Sequence, residues 1–192
     1  MKILQINKLY HPVIGGIETT VKNIAEGLNN HADFKIEVLA CQEKGKRSID
    51  NLNGIRVYRA ASWGKKLGMP LSLDFFKLFW RIKNDYDLFI LHYPFPLAAF
   101  ITPFIPKKKL IIYYHSDIVR QKLGAVLLAP FIKYSLKKAK IILSGSHNLI
   151  QSSPYLRQVA NKCQVLPFGY KIEYNQEDER RAQDLKTKYG KE

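Results

Sequence analysis

The sequence is poor in cysteine and has no long apolar run. Its two cysteines, Cys41 and Cys163, lie far apart in or beside apolar runs, which favours two reduced thiols over a disulfide. No Cys-x-x-Cys pair and no cluster of histidine and cysteine indicates a metal site, so we expect no metal. The longest apolar stretches, residues 97–105 and 123–132, are far shorter than the roughly 20 residues that span a bilayer.

The N-terminus also lacks the apolar core of a signal peptide, because Gln5 and Asn7 interrupt it. We therefore expect a cytoplasmic protein. Hydrophobic residues make up 46% of the 192 residues and charged residues 24%, which is typical of a globular domain and argues against disorder. A chain of this length can bury a core of its own.

Acidic residues are scarce relative to basic ones. Thirty-one Lys and Arg against sixteen Asp and Glu give a formal net charge of +15, which attracts nucleic acid, anionic lipid headgroups or phosphorylated small molecules. Charge alone does not choose among these partners. Because no nucleic-acid fold signature is present, and the aromatic residues do not follow the pattern of an RNA-binding strand, we expect no nucleic acid as a partner.

Apolar strand-like segments alternate with helical patterns along the chain. A first strand is predicted at residues 2–7, and a helix is predicted from Gly16 onward because its apolar residues recur at helical spacing. Further predicted strands are residues 34–40, 55–59, 87–92, 109–114, 140–144 and 163–166. Further predicted helices are residues 96–105, 121–139 and a segment that begins at 147.

This alternation requires crossover connections and therefore a mostly parallel sheet. We predict a three-layer, doubly wound, Rossmann-like α/β domain. Ligands of such sheets bind beyond the carboxyl ends of the strands, which here are followed by the loops after Asn7 and His92 and the loop that starts at His115. Residues 173–192 are highly charged and predict a solvated helix or linker.

Gly15 and Gly16 lie at the predicted turn between the first strand and the first helix. Two glycines there let backbone N–H groups approach an anion at a helix N-terminus. The spacing is not that of a dinucleotide-binding loop. The alternative is a tight turn that needs a residue with positive φ. Glu18 lies in the first helical turn, where it can pair with Lys22.

His115 follows an apolar strand and so lies at the carboxyl edge of the predicted sheet. A histidine there can shuttle a proton or hold a substrate hydroxyl or phosphate. The alternative is a strand-end histidine bonded to a backbone carbonyl. His92 repeats the same placement after the preceding strand.

Residues 71–83 predict a helix in which a narrow polar stripe interrupts an apolar surface. Basic and aromatic residues on one helix are typical of a helix that lies in a membrane interface. The alternative is a crossover helix buried against the sheet, and the two are compatible on opposite faces. The predicted membrane surface consists of Lys65, Lys66, Lys77, Trp80, Arg81 and Lys83.

Taken together, several segments resemble the N-terminal domain of the retaining glycosyltransferases of family four, which have the GT-B fold. The segments are YHPVIGGIE at 10–18, HYPFP at 92–96, HSD at 115–117, SGS at 144–146 and VLPFG at 165–169. The stretch YHSDIVRQK at 114–122 resembles bacterial members that add mannose, rhamnose or related sugars to lipid-linked surface polysaccharides such as O-antigen.

The resemblance implies roles for individual residues. The loop with Gly15, Gly16 and Glu18 would border the donor diphosphate and the acceptor, and His115 would be the catalytic residue that reaches the transferred sugar. The donor would be a nucleotide-diphosphate sugar, and no cofactor or metal is expected. Candidates for acceptor or phosphate contacts are His92, Asp117, Arg120 and Lys122.

The resemblance also implies a domain organisation and a location. Residues 1–170 would form the acceptor-side half of a GT-B fold, and residues 171–192 would lead to a donor-binding domain that these 192 residues lack. The chain by itself would then be inactive. Its partners would be a lipid-linked saccharide and the anionic inner face of the cytoplasmic membrane. The alternative function is a non-catalytic module that binds membranes or glycolipids.

Overall fold

A computed structural model describes residues 1–66, 68–117, 122–169 and 176–190. Eight strands form one sheet, and a two-stranded hairpin lies apart from it. The sheet strands are β1 Lys2–Ile6, β2 Lys35–Cys41, β3 Ser48–Leu52, β4 Ile55–Ala60, β7 Leu88–Tyr93, β8 Leu110–Tyr114, β9 Ile141–Ser144 and β10 Cys163–Val165. The hairpin strands are β5 Lys65–Lys66 and β6 Met69–Pro70.

Six helices connect or follow these strands in the described part of the chain. They are α1 Gly16–Asn29, α2 Asp74–Ile82, α3 Pro96–Ile101, α4 Lys122–Lys138, α5 His147–Ser152 and α6 Gln176–Tyr189. Short 3-10 turns span Lys83–Asp85, Thr102–Phe104, Lys107–Lys109 and Leu156–Lys162. None of the helices in the described ranges combines the length and the apolar character that crossing a bilayer would take.

The strand order is β10-β9-β8-β7-β1-β2-β4-β3, and neighbours are parallel except β3 and β4. On one side of β1 the parallel strands β2 and β4 follow in turn. On the other side β7, β8, β9 and β10 follow in turn. The direction of winding therefore changes between β1 and β7, where a doubly wound sheet opens a crevice at its carboxyl edge. This confirms the predicted fold class.

One strand of the eight-stranded sheet, β3, was not predicted, and neither was the short β5–β6 hairpin. Strand β3 pairs antiparallel with β4 at the edge of the sheet. Its sequence SIDNL contains only two apolar residues, and both of its faces are at least partly exposed. An edge strand of this kind needs few apolar side chains, so its hydrophobic pattern is too weak to predict.

Each face of the sheet packs on its own helices. Val21 and Ala25 of α1 lie against Ile36, Val38 and Ile90 on one face. The opposite face packs against helices α2, α3 and α4. Full burial of a large apolar side chain contributes roughly 1.5–3 kcal/mol, so these two layers supply most of the driving force for folding.

Helix α2 is amphipathic, and its buried face agrees with the interpretation of residues 71–83 as a crossover helix packed on the sheet. Phe75, Leu78, Phe79 and Ile82 are buried against the sheet, whereas its other side is open to solvent. Ser72 stabilises the start of the helix, because its Oγ accepts a hydrogen bond from the Phe75 N–H at 3.0 Å.

The charged C-terminal segment contains helix α6, and its described side chains between 180 and 190 are exposed. Residues 170–175 lie outside the described part of the chain. Both cysteines are free, and Cys41 is buried. Burial raises the pKa of the Cys41 thiol to about 12, so it remains a protonated core residue.

Candidate functional site

The three loops predicted to carry the site meet at the carboxyl edge of the sheet. Strand β7 lies between β1 and β8, and His92 is paired in register with Tyr113. The His115 N–H donates to the Tyr93 carbonyl at 2.9 Å, which extends the ladder by one residue and places His115 just beyond the end of β8. Gln5 on β1, His92 on β7 and His115 after β8 therefore follow one another across the switch point.

The side chains of these three residues form a continuous hydrogen-bonded chain. The Nε2 atom of His92 lies 2.8 Å from Gln5 Oε1, and its Nδ1 atom lies 2.9 Å from His115 Nε2. Gln5 Nε2 donates in turn to the Val21 carbonyl of α1 at 3.3 Å. Gln5 and His92 are both fully buried, whereas His115 is half-buried at the edge of the cleft.

Burial keeps both imidazoles neutral. The pKa of His92 is lowered well below its usual value by desolvation and by the neighbouring His115. Desolvation lowers the pKa of His115 to about 4. At neutral pH both rings therefore act as uncharged hydrogen-bonding groups rather than as cations.

His115 lies in a stack of nearly parallel rings. Its ring centroid is 4.5 Å from that of Tyr113 and 5.5 Å from that of Phe168, with interplanar angles of 19° and 13°. Gly145 makes room for this stack, since a Cβ there would lie 2.7 Å from the Phe168 ring. The Tyr113 hydroxyl donates a hydrogen bond to the Leu166 carbonyl at 2.6 Å, which ties down the segment that carries Phe168.

Two small cavities flank Phe168 along the surface of α1. One, of about 200 Å³, lies between the start of α1 and His115 and is lined by Gly16, Ile17, Thr20, His115, Ser116 and Phe168. The other, of about 270 Å³, is lined by Thr20, Asn23, Ile24, Tyr113 and residues 166–169. The loop after β8 and the glycine turn thus face each other across a space of the size of one sugar ring.

Sequence reasoning gave no role to Gln5 or Phe168. In the sequence, Gln5 is recognisable only as a polar residue in an apolar strand. Its contact with His92 depends on the pairing of β1 with β7. Phe168, which is 39% exposed, belongs to the VLPFG segment, but an aromatic residue in a loop does not by itself indicate a ring stack.

The glycine turn differs from the alternative considered for it. Gly15 has φ of −175°, an extended conformation open to any residue, so the interpretation as a positive-φ turn is wrong. A Cβ at Gly15 would instead lie 2.3 Å from Glu18 Oε2, so a larger residue there would displace the Glu18 carboxylate. Gly16 is exposed as the first residue of α1, where free N–H groups point out of the helix.

Glu18 does not pair with Lys22 as expected. Lys22 lies 3.9 Å from Glu26, and the Glu18 carboxylate folds back under Gly15. Glu18 is 5% exposed, and its Oε1 has no hydrogen-bond partner. The Glu18 carboxylate therefore packs against the glycine turn.

Asp117, Lys122 and Arg120 were also predicted to contact the acceptor or a phosphate. Asp117 Oδ1 accepts hydrogen bonds from the hydroxyls of Tyr114 at 2.5 Å and Ser153 at 2.7 Å, so this oxygen anchors the loop after β8 to the segment after α5. Lys122 is the first residue of α4. Arg120 lies outside the described residues.

His92 was predicted as a direct contact to acceptor or phosphate, and its geometry contradicts that role. It is fully buried and both of its ring nitrogens are hydrogen-bonded within the protein. Any effect of His92 on a ligand must pass through His115.

The six predicted membrane residues lie in the β5–β6 hairpin, on α2 and just after α2. Lys65 and Lys66 are exposed in the β5–β6 hairpin, where Lys65 forms an ion pair with Glu43. Lys77, Trp80 and Arg81 are on the exposed side of α2. Lys83 is half-buried just after the helix.

Trp80 belongs to a larger exposed group that we call the aromatic surface. Its ring lies 4.5 Å from that of Phe104, and the ring of Phe100 on α3 lies 4.7 Å from that of Phe131 on α4. Each member is between 36% and 53% exposed. The aromatic surface consists of Trp80, Phe100, Phe104, Phe131 and Tyr134.

Another cavity, of about 450 Å³, lies apart from His115, beside the Pro12–Val13 loop and β3. Arg59 lines this cavity, and its guanidinium donates to Asp50 at 2.5 Å and to the backbone carbonyl of His11. Among the described residues, no three His, Cys, Asp or Glu side chains are grouped as metal ligands would be.

A sequence profile of Glycosyltransferase Family 4 matches residues 14–174, a segment that contains the glycine turn, His115 and Phe168. The chain belongs to this family. The family-four resemblance of the five sequence segments is thereby confirmed.

Two curated relatives are bacterial enzymes. The O-antigen chain mannosyltransferase C of Escherichia coli is 28% identical over 192 residues, which cover 99% of this chain and 52% of the relative. The D-rhamnosyltransferase WbpZ of Pseudomonas aeruginosa is 29% identical over 178 residues, covering 88% of this chain and 45% of the relative. The chain spans about half the length of the curated relatives it matches.

Solved structures support the fold. The sucrose-phosphate synthase of Thermosynechococcus elongatus, a GT-B glycosyltransferase, superposes with a TM-score of 0.67 at 17% identity, over 96% of this chain and 52% of the synthase. A second structure of that synthase, matched over 98% of its own length, gives a TM-score of 0.57 at 15% identity.

Proposed function

We propose that this chain is the acceptor-side domain of a retaining glycosyltransferase that transfers a sugar from a nucleotide-diphosphate sugar to a lipid-linked saccharide. The observation that carries the proposal is the placement of His115 opposite the Gly15–Gly16 turn, across a cavity of about 200 Å³, in a chain of family 4. The names of the relatives, an O-antigen chain mannosyltransferase and a D-rhamnosyltransferase, support a saccharide acceptor of the O-antigen type, and its lipid link is part of the proposal.

In this proposal, three parts of the site contact different parts of the substrates. The exposed N–H groups at the start of α1 favour an anion, so we assign them to the donor diphosphate. The half-buried His115 ring offers a neutral hydrogen-bonding group to the transferred sugar or to the attacking hydroxyl. The exposed Phe168 ring presents a flat apolar face on which a sugar ring can pack.

The donor nucleotide is assigned to a second domain of similar size. This assignment rests on the relatives being about twice as long as the matched segment. The chain by itself is then expected to be inactive, and the transfer is metal-independent in this proposal.

The test is an assay of the complete gene product with GDP-, UDP- and dTDP-linked sugars and with polyprenyl-diphosphate saccharides as acceptors. We expect one nucleotide sugar to be consumed with formation of a longer lipid-linked saccharide of retained anomeric configuration. The absence of transfer from the whole panel, with a folded protein and a lipid-bound acceptor, would contradict the proposal.

We also propose that the domain attaches peripherally to the inner face of the cytoplasmic membrane through the aromatic surface and the basic residues beside it. Helices α2, α3 and α4 carry one acidic residue in their sequences, Asp74, and it is bound to Arg47 and to the Ala61 N–H. Exposed aromatic rings beside exposed lysine and arginine suit an anionic lipid interface. The same surface supports the alternative of a non-catalytic membrane-binding module.

A further inference from the structure

The hydrogen-bonded chain of Gln5, His92 and His115 determines where the protons of both imidazoles lie. The starting point is the Val21 carbonyl, which can only accept a hydrogen bond. Gln5 Nε2 lies 3.3 Å from it. If the Gln5 amide were rotated by 180°, two acceptor oxygens would face each other, so the amide orientation is set by α1.

The next proton position follows from this orientation. Gln5 Oε1 is an acceptor and lies 2.8 Å from His92 Nε2, so His92 Nε2 carries the hydrogen. His92 is fully buried, and its neutral form has only one N–H. Its Nδ1 is therefore a bare acceptor, 2.9 Å from His115 Nε2.

His115 completes the chain. Since His92 Nδ1 can only accept, the proton in the contact between the two histidines belongs to His115 Nε2. In the neutral ring the remaining nitrogen, Nδ1, is then unprotonated. It has no partner among the described residues, and His115 lines the cavity beside Gly16, so we assign Nδ1 as the nitrogen that a ligand in that cavity meets.

We propose that Gln5 and His92 are positioning residues that hold His115 in the Nε2-protonated tautomer and leave Nδ1 as a hydrogen-bond acceptor for a ligand hydroxyl. A ring in this state accepts from a sugar hydroxyl and has no N–H to offer a phosphate oxygen at neutral pH. The assignment of the hydroxyl to a sugar rests on the proposed function, whereas the tautomer does not.

The ring stack supports the same assignment. Tyr113 and Phe168 both pack against the His115 imidazole at nearly parallel angles, and their own ring centroids are 5.8 Å apart, so they lie next to each other rather than on opposite faces of it. His92 lies beside the same imidazole at 17°. These contacts restrict rotation of the ring, which would exchange the positions of its nitrogens. Hydrogen bonds thus set the tautomer, and ring contacts restrict the orientation.

The test is ¹⁵N NMR of the 192-residue chain labelled in its histidine rings, at neutral pH. Ring ¹⁵N shifts separate protonated from bare nitrogens, and an N–H···N hydrogen bond couples its two nitrogens. We expect a coupling between His115 Nε2 and His92 Nδ1, with the proton on His115, and a bare His115 Nδ1. The His115→Gln variant assigns the signals.

Two substitutions of His92 form a matched pair. His92→Gln keeps a donor for Gln5 and an acceptor for His115, so we expect the His115 tautomer to be retained. His92→Phe keeps a stacked ring without nitrogens, so the two His115 tautomers should average. A melting curve of each variant reports separately on folding.

The wild-type spectrum alone can overturn the proposal. Three wild-type results would overturn it: a proton on His92 Nδ1, a proton on His115 Nδ1, or averaged His115 tautomers. An unchanged single His115 tautomer in folded His92→Phe would also overturn it. In the complete gene product, His92→Phe should lower kcat at least tenfold and His92→Gln should recover most of it. If the spectra are as expected but the complete gene product and its variants transfer no sugar, the tautomer assignment stands and the proposed function fails.

Discussion

At the scale of single residues, His115 owes its properties to its neighbours more than to its own position. The loop after β8 places it at the sheet edge, but His92 and Gln5 determine its hydrogen bonding, and Phe168 and Tyr113 determine its ring plane. Its place at the edge was predictable because a polar residue follows an apolar strand. The partners were not, since they come from strands that are distant in sequence.

Replacing His115 with alanine should lower turnover of the complete gene product by at least about 100-fold, or roughly 3 kcal/mol of transition-state stabilisation. The physical reason is the loss of the accessible ring nitrogen at the cavity beside Gly16. Steady-state kinetics of His115→Ala measure the effect. His147→Ala is the matched control, because His147 is exposed on α5.

A mainly structural role for His115 predicts the opposite pattern. In that case His115→Ala would retain most of its activity and would lower the melting temperature substantially. Activity and thermal melts of the same preparations distinguish the two roles.

At the scale of elements, the helices and central strands lie close to their predicted positions, and the discrepancies have identifiable causes. Strand β3 lacks a strong apolar pattern because an edge strand buries little. The predicted helix at 96–105 ends at Ile101 and continues as a 3-10 turn, since Pro103 cannot continue the α-helical hydrogen bonds. Helix α2 shows how one amphipathic element serves the core on one face and leaves the other open.

The exposed face of α2 should bind anionic membranes. We expect this chain to co-float with vesicles that contain anionic lipid and not with neutral ones. Each basic residue near such a surface contributes about 1 kcal/mol, and this contribution weakens with salt. The Lys77→Glu/Arg81→Glu double variant should lose flotation and remain folded, because both residues are exposed.

Two controls sharpen this experiment. Lys35→Glu changes an exposed lysine of β2, on an element that does not contribute to the aromatic surface. Flotation at low and high salt separates the electrostatic part from insertion of Trp80. A wild-type chain that ignores anionic lipid would end the proposal of membrane attachment.

At the scale of the whole molecule, His92 and His115 couple the stability of the fold to pH. Both pKa values are depressed in the folded state, that of His115 to about 4, against about 6.5 in the unfolded chain. Below pH 6.5 the unfolded state thus binds more protons, and stability falls as the pH is lowered.

Chemical denaturation between pH 7 and pH 5 should show this loss. The expected slope is up to about 1.4 kcal/mol per pH unit for each proton taken up on unfolding. The His92→Gln/His115→Gln double variant should show a flatter dependence. The His31→Gln/His147→Gln double variant removes two exposed histidines and should keep the wild-type slope. Equal slopes in all three proteins would contradict burial of the neutral pair.

The 192-residue chain should bind nucleotide sugars weakly, with dissociation constants of about 1 mM or larger, equivalent to roughly 4 kcal/mol or less. The reason is the proposed assignment of the nucleotide to a second domain. Calorimetry with GDP- and UDP-sugars measures the affinity. Micromolar binding would contradict this division of the site.

The sequence by itself determined the fold class and the edge at which the site lies. Periodicity of apolar residues distinguishes strands from helices, and alternation of the two requires parallel strands whose carboxyl ends share one side. The five segments that resemble family 4 identify the glycine turn and His115 because these motifs are local in the chain.

The tertiary structure alone decided how those residues work. The bond from His92 to Gln5 joins residues 87 positions apart, and the stack of His115 on Phe168 depends on the missing side chain of Gly145. Likewise, the aromatic surface gathers rings from α2, α3, α4 and a 3-10 turn. Such contacts depend on strand order and helix packing, which bring together side chains that no local pattern connects.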